Sequence, residues 1–74
     1  MAATIMNMEY VKVDILTAGQ LMVDDCILIG DEVVSIADIV SLPDGYTLEV
    51  VNDFGEREII EVGEYDQFDL MMLQ

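Results

Sequence analysis

The chain has 74 residues, of which sixteen are Asp or Glu and two are Lys or Arg, so its formal net charge is −14. This length accommodates one small domain, and two cations are too few to bind the phosphates of DNA or RNA or an anionic membrane surface. Because 54% of the residues are apolar and the charges are scattered, the composition also excludes a disordered acidic tail. We therefore predict a single domain over residues 1–74, with residues 1–9 and 71–74 as flexible or interface-forming termini.

Turn residues divide the chain at short, even intervals, which is typical of an all-β barrel or sandwich. The runs between the turns are rich in β-branched residues, and no apolar stripe of helical period is longer than about two turns. We expect the second strand to be bent or bulged at Asp24 and Asp25. The predicted strands span residues 10–16, 20–29, 32–42, 46–52 and 56–62, and residues 64–70 form either a short helical turn or a last edge strand.

Three turns set the pairing of these strands. Gly30-Asp31 predicts a two-residue hairpin, and Pro43-Asp44-Gly45 predicts a type I turn followed by a left-handed glycine. Asp53-Phe54-Gly55 predicts the same geometry with other residues. Counting outward from the last two turns as three-residue loops determines which side chains share a face. The predicted core on that face comprises Val34, Ile36, Val40, Leu48, Val50, Ile60 and Val62.

A family resemblance follows from residues 13–22 (VDILTAGQLM) and 31–36 (DEVVSI). Their order of a strand, a Leu-x-x-Gly turn, an extended strand and a tight hairpin resembles the first domain of elongation factor P and its relatives. The resemblance implies a small SH3-like, mainly antiparallel barrel of five or six strands. That family displays a basic, modifiable Lys between its third and fourth strands, where this chain has Pro43-Asp44-Gly45. Binding to tRNA or the ribosome is therefore not expected here.

We predict that the protein is not an enzyme. The chain has no His, which excludes nucleophile–base pairs built on imidazole, and it has no phosphate-binding glycine-rich loop. Cys26 is the only cysteine, so no internal disulfide can form, and the neighbouring Asp24 and Asp25 disfavour a reactive thiolate. Neither Asp24-Asp25 nor Asp31-Glu32 has the spacing of a calcium-binding loop. The sequence thus predicts no metal site and no cofactor.

The acidic strands indicate a binding function instead. Alternate residues of a strand lie about 6.6 Å apart on one face, so Glu56 and Glu58 form a row of negative charge. Pairing of Asp38 with Val50 places Asp38 on that same face, two strands from Glu58. Glu49 and Glu61 mark the opposite face, where Val51 and Ile59 can serve as apolar anchors. The predicted partner-binding residues are Asp38, Glu49, Val51, Glu56, Glu58, Ile59 and Glu61.

In composition the chain is similar to viral DNA-mimic inhibitors such as the uracil-DNA glycosylase inhibitor. We therefore predict an acidic, non-enzymatic inhibitor or modulator that binds a basic, nucleic-acid-binding protein. The chain's start has no positively charged region and no long apolar stretch, so we expect a cytoplasmic location, in the host cytoplasm if the protein is viral.

The alternative is an SH3-like assembly or adaptor module. Its apolar termini would bind a protein partner or a second copy of the chain, as a homo-oligomer. The apolar residues concerned are Ile5, Met6, Met8, Met71, Met72 and Leu73.

Overall fold

A computed structural model describes residues 9–74. Its strands are β1 (Tyr10–Thr17), β2 (Cys26–Ile29), β3 (Glu32–Leu42), β4 (Gly45–Val51), β5 (Arg57–Gly63) and β6 (Gln67–Leu73), with a short 3₁₀ turn at Ala18–Gln20. They form one antiparallel, barrel-like sheet of six strands in the order β1-β6-β2-β3-β4-β5. The prediction of a small, antiparallel, all-β fold is confirmed. Among residues 9–74 there is no helix long and apolar enough to span a membrane.

Strand β6 lies inside the sheet, between β1 and β2. Met71 illustrates this position, because it pairs with Lys12 of β1 on one side and with Cys26 of β2 on the other. Of the two alternatives for residues 64–70, the strand is therefore confirmed from Gln67 onward, but its expected position at an edge of the sheet was wrong. Beyond the ends of β1 and β6, Glu9 and Gln74 exchange two backbone hydrogen bonds of 3.1 and 2.9 Å.

The core covers one face of the sheet. Ile27, Ile36 and Leu48 are its largest fully buried side chains, and burial of each contributes about 1.5–3 kcal/mol. Of the predicted core residues, all but Val40 are buried or pack as half-buried side chains against this cluster. The cluster consists of Leu21, Ile27, Val34, Ile36, Leu48 and Val50, with Leu16, Ile29, Ile39, Tyr46, Ile60, Val62 and Phe68 packed around it.

Two of the three predicted turns have the expected geometry. Gly30 has a φ of +60° in a two-residue hairpin between Ile29 and Glu32. Gly55 has a φ of +78° in the loop between β4 and β5. The Asn52 Oδ1 atom accepts hydrogen bonds from the N–H groups of Phe54 and Glu56, at 2.9 and 3.0 Å. This side chain fixes the three-residue loop, and the predicted β4–β5 register is confirmed.

The β3–β4 hairpin differs from the prediction. Leu42 pairs with Gly45, so the loop contains only Pro43 and Asp44. Shortening the loop by one residue inverts the faces next to it, and Val40 is consequently 50% exposed. Gly45 lies in β4 without a positive φ. It is required for another reason, because a Cβ atom there would collide with the carbonyl oxygen of Val62 in β5.

A β-bulge in β3 restores the predicted faces farther from this turn. Ile36 pairs with Val50 whereas Asp38 pairs with Glu49, which leaves Ala37 as the extra residue. The short loop exchanges the two faces of β3 next to the turn, and the extra residue at the bulge exchanges them a second time. Val34 and Ile36 therefore face the core as predicted, even though the register that led to this prediction was wrong.

The loop before β2 is attached to the bulged strand. The N–H of Asp24 donates to the carbonyl of Ile36 at 2.8 Å, and the N–H of Ile36 donates to the carbonyl of Asp25 at 2.9 Å. Asp24 has a φ of +77°, a conformation that interrupts an extended strand. The predicted strand over residues 20–29 is thus reduced to Cys26–Ile29. Asp24 and Asp25 lie in the loop before it and not at a bend or bulge within a strand, although the backbone is irregular where the sequence indicated it.

Candidate acidic binding surface

The face of β3, β4 and β5 that points away from the core carries most of the predicted binding residues. We call this surface the outer face. Because directly opposed residues in an antiparallel pair share a face, the ladder gives three rows across the strands. They are Ser35–Val51–Arg57, Asp38–Glu49–Ile59 and Val40–Thr47–Glu61.

Two carboxylates are directly opposed in the middle row. Asp38 pairs with Glu49, and like charges in this position destabilise a sheet. The nearby backbone and cation reduce that cost. The Asp38 Oδ1 atom accepts a hydrogen bond from the N–H of Ile39 at 2.9 Å, and the guanidinium of Arg57 donates to Glu49 Oε1 at 2.9 Å.

Apolar side chains adjoin these acids. Ile59 is next to Glu49 in the same row and is 71% exposed, although an isoleucine in a strand usually faces a core. Val51 is half-buried in the neighbouring row, and Glu61 lies two residues beyond Ile59 on β5. The outer face therefore combines carboxylates with an accessible apolar side chain, a composition suited to a partner with cationic and apolar groups.

Glu56 and Glu58 lie on the other side of the β4–β5 hairpin. Glu58 is opposite Val50, and the Asn52 amide donates a hydrogen bond to Glu56 Oε1 at 2.9 Å. The prediction that Asp38 shares their face was wrong, because the short turn and the bulge place Asp38 on the outer face. Glu56 and Glu58 instead border a cleft of about 230 Å³ together with Glu32, Val34, Val50, Asn52 and Arg57.

Arg57 is an outer-face residue that the sequence interpretation did not include among the candidate binding residues. Its pairing with Val51 was already fixed by the predicted β4–β5 register, so its diagonal position relative to Glu49 could have been read from that register. The two cations of the chain are both paired with carboxylates. Lys12 Nζ lies 3.4 Å from Asp69 Oδ1, and Arg57 Nη1 lies 2.9 Å from Glu49 Oε1.

These cations occupy opposite ends of one line of side chains across the whole sheet. The successive pairs place Lys12 on β1 and Arg57 on β5, so each cation belongs to one of the two outermost strands. The complete line is Lys12–Met71–Cys26–Ser35–Val51–Arg57.

Cys26 is half-buried near the middle of this line. Burial raises the pKa of its thiol, and the charges of Asp25, Asp53 and Asp24 raise it further. The neutral thiol is therefore favoured near neutral pH, and it is a poor nucleophile. This agrees with the effect expected from Asp24 and Asp25. Within residues 9–74 there is no group of three His, Cys, Asp or Glu side chains arranged to hold a metal ion.

A second, open cleft of about 520 Å³ lies at the end of the β3–β4 hairpin. The carboxylates of Asp44 and Glu61 border it, and its other lining residues are Leu42, Pro43, Gly45, Val62 and Gly63.

Comparisons with protein-family models, with curated proteins and with solved structures give no significant match to this chain.

Proposed function

We propose that this protein is an acidic, non-enzymatic inhibitor or modulator. Its outer face would occupy the basic groove of a nucleic-acid-binding enzyme or regulator. The observation that carries the proposal is the direct opposition of Asp38 and Glu49, beside the 71% exposed side chain of Ile59. A cationic group of the partner placed between these carboxylates would relieve their repulsion, and this relief would contribute to the binding free energy.

The geometry of the strands supports this assignment. Neighbouring strands are about 4.8 Å apart and alternate residues along a strand about 6.6 Å apart, so Asp38, Glu49 and Glu61 are held on a rigid grid. The carboxylates of Asp38 and Glu49 are also held by hydrogen bonds, so they lose little conformational freedom on binding. Ile59 supplies the apolar contact that a tight interface needs at its centre. By the resemblance in composition, the proposal extends to a viral inhibitor that acts in the host cytoplasm.

The test is capture of partners by the immobilised protein from a lysate of the source cell, followed by mass spectrometry. We expect a DNA- or RNA-binding protein whose retention falls steeply as salt is added and which nucleic acid displaces. A partner that binds DNA and this protein simultaneously would contradict the proposal.

Two double variants identify the face that binds. Asp38→Asn with Glu61→Gln removes two charges from the outer face, whereas Glu56→Gln with Glu58→Gln removes two from the other side of the same hairpin. All four replacements are nearly isosteric. We expect the first pair to reduce capture strongly and the second to leave most of it intact. The reverse result would assign binding to the cleft bordered by Glu56 and Glu58.

An assembly or adaptor module is the second candidate. It is favoured by the exposure of Met72 and Leu73 in β6, at 57% and 42%. Ile5, Met6 and Met8 lie outside the described residues. Capture through an apolar surface would persist at high salt and would be lost in a Met72→Ser, Leu73→Ser variant, whereas neutralising Asp38 and Glu61 would have little effect.

A further inference from the structure

The sheet has two outermost strands, β1 and β5, and their free edges differ. In an antiparallel ladder, residues alternate between those that bond the neighbouring strand and those whose backbone groups point away from it. Beside the β4–β5 loop, the N–H of Asn52 donates to the carbonyl of Glu56 at 3.0 Å. Counting every second residue from this bond, the backbone N–H and C=O groups of Glu58, Ile60 and Val62 point toward β4. Those of Arg57, Ile59, Glu61 and Gly63 point to the free edge.

The end of β5 agrees with this assignment. The N–H of Gly63 donates to Asp66 Oδ2 at 2.8 Å, and its carbonyl accepts from the N–H of Asp66 at 3.1 Å. Gly63 is therefore satisfied by the following loop. Within residues 9–74, no side chain accepts a hydrogen bond from the N–H of Arg57, Ile59 or Glu61, so three successive edge positions remain available for pairing.

The edge of β1 is obstructed by comparison. Its register shifts between Lys12 and Asp14, which makes Val13 a bulge. The N–H of Ile15 donates to Asp14 Oδ1 at 2.8 Å, and the N–H of Thr17 donates to Gln20 Oε1 at 3.0 Å. Bulges and occupied donors are features by which proteins prevent edge-to-edge pairing. The available edge is that of β5.

We propose that β5 pairs with β5 of a second copy of the chain, antiparallel, about a two-fold axis at Ile59. Each Ile59 then opposes the other, and Arg57 of each copy opposes Glu61 of the second copy. All three edge positions exchange their backbone hydrogen bonds. The interface is self-complementary, as a two-fold dimer requires, and the two six-stranded sheets become one continuous sheet.

The charges select this register over its neighbours. An axis at Glu58 or at Glu61 would place two glutamates directly opposite each other, and an axis at Arg57 would oppose two guanidinium groups. Like charges so placed are destabilising. An axis at Ile60 leaves Arg57 opposite Gly63, without a carboxylate partner. Only the axis at Ile59 forms two opposite-charge pairs and opposes no like charges.

The net charge of −14 on each copy does not prevent this pairing at physiological salt. The Debye length is then about 8 Å, so the directly opposed charges contribute more than the distant ones. In the dimer the Ile59 side chains of the two copies pack against each other, which removes exposed apolar surface from water. This inference rests on the free backbone edge of β5 and not on the partner proposed for the outer face, although the side chains of Ile59 and Glu61 belong to both surfaces.

The test is sedimentation equilibrium of the full chain from micromolar to millimolar concentration, at about 0.15 M salt. We expect a reversible monomer–dimer equilibrium. Arg57→Glu and Glu61→Arg should each weaken dimerisation at least about tenfold, because each replaces two attractive pairs with two repulsive ones. An equimolar mixture of these two variants should form a heterodimer, since glutamate at position 57 then faces arginine at position 61.

The control is Glu64→Arg, which makes the same charge change as Glu61→Arg at an exposed residue beyond the end of β5. It should leave the dissociation constant within about twofold of wild type, as surface charges outside an interface usually do. Thermal melting shows whether each variant is folded, and restoration in the mixture separates a lost interface from a lost fold. A wild-type chain that remains monomeric at millimolar concentration overturns the proposal, and so does a mixture that forms no heterodimer.

Discussion

The position of Ile36 allows a matched comparison with Ile59, because both isoleucines lie in strands and differ mainly in burial. Ile36 is 1% exposed and Ile59 is 71% exposed. Truncation to alanine removes three carbons, with a transfer free energy of about 2.4 kcal/mol when the site is fully buried. The residual cavity brings the expected cost of Ile36→Ala to about 2–5 kcal/mol. For Ile59→Ala the exposed fraction reduces the transfer contribution to about 0.7 kcal/mol.

Urea denaturation followed by circular dichroism measures both variants. A domain of this size is stable by about 4–11 kcal/mol. At the midpoints of this range and of the expected cost, Ile36→Ala remains folded without denaturant but unfolds at a much lower urea concentration. The transfer contributions alone differ by about 1.7 kcal/mol, which corresponds to a difference in melting temperature of at least about 7–14 °C. Equal costs for the two substitutions would refute the assignment of these residues to opposite faces.

Two further substitutions test individual contacts. Gly45→Ala should destabilise the protein by about 1–3 kcal/mol in the same assay, since the added methyl group forces β4 away from the Val62 carbonyl; an unchanged unfolding midpoint would show that these strands do not approach so closely. The raised pKa of Cys26 predicts that a thiol reagent at about pH 8 modifies the folded protein more slowly than the urea-unfolded chain, because less thiolate is present. The ratio of the two rates should approach one as the pH rises above the folded-state pKa, without reaching it because Cys26 is half-buried. Equal rates at about pH 8 would contradict the effect of burial and of the nearby carboxylates.

The β4–β5 hairpin shows how much local sequence can predict. Its three-residue loop follows from Gly55, which must adopt a positive φ, and from Asn52, whose side chain bonds the loop backbone. From that loop alone, the pairing of Leu48 with Ile60 and the exposure of Ile59 on the outer face can be deduced.

The β3–β4 hairpin could not be predicted in the same way. Pro43-Asp44-Gly45 is compatible with a loop of two or three residues, and the choice depends on the close approach of Gly45 to Val62 in β5, a distant part of the chain. The bulge at Ala37 likewise adjoins Ile36, whose backbone bonds Asp24 and Asp25. Such non-local contacts leave no periodic signal in the sequence. The predicted face of Asp38 was therefore wrong, whereas the prediction that Glu49 and Glu61 share a face was correct.

The placement of Lys12 and Arg57 at the two ends of the line across the sheet affects how the protein meets a partner. The two positive charges lie on opposite outermost strands and each is paired with a carboxylate, so the few cations form no basic patch at either end of the sheet. At long range the field is then dominated by the net charge of −14. Such a field accelerates encounter with any cationic molecule but exerts little torque on it. Orientation is then determined only at short range, by contacts such as those of Asp38, Glu49 and Ile59.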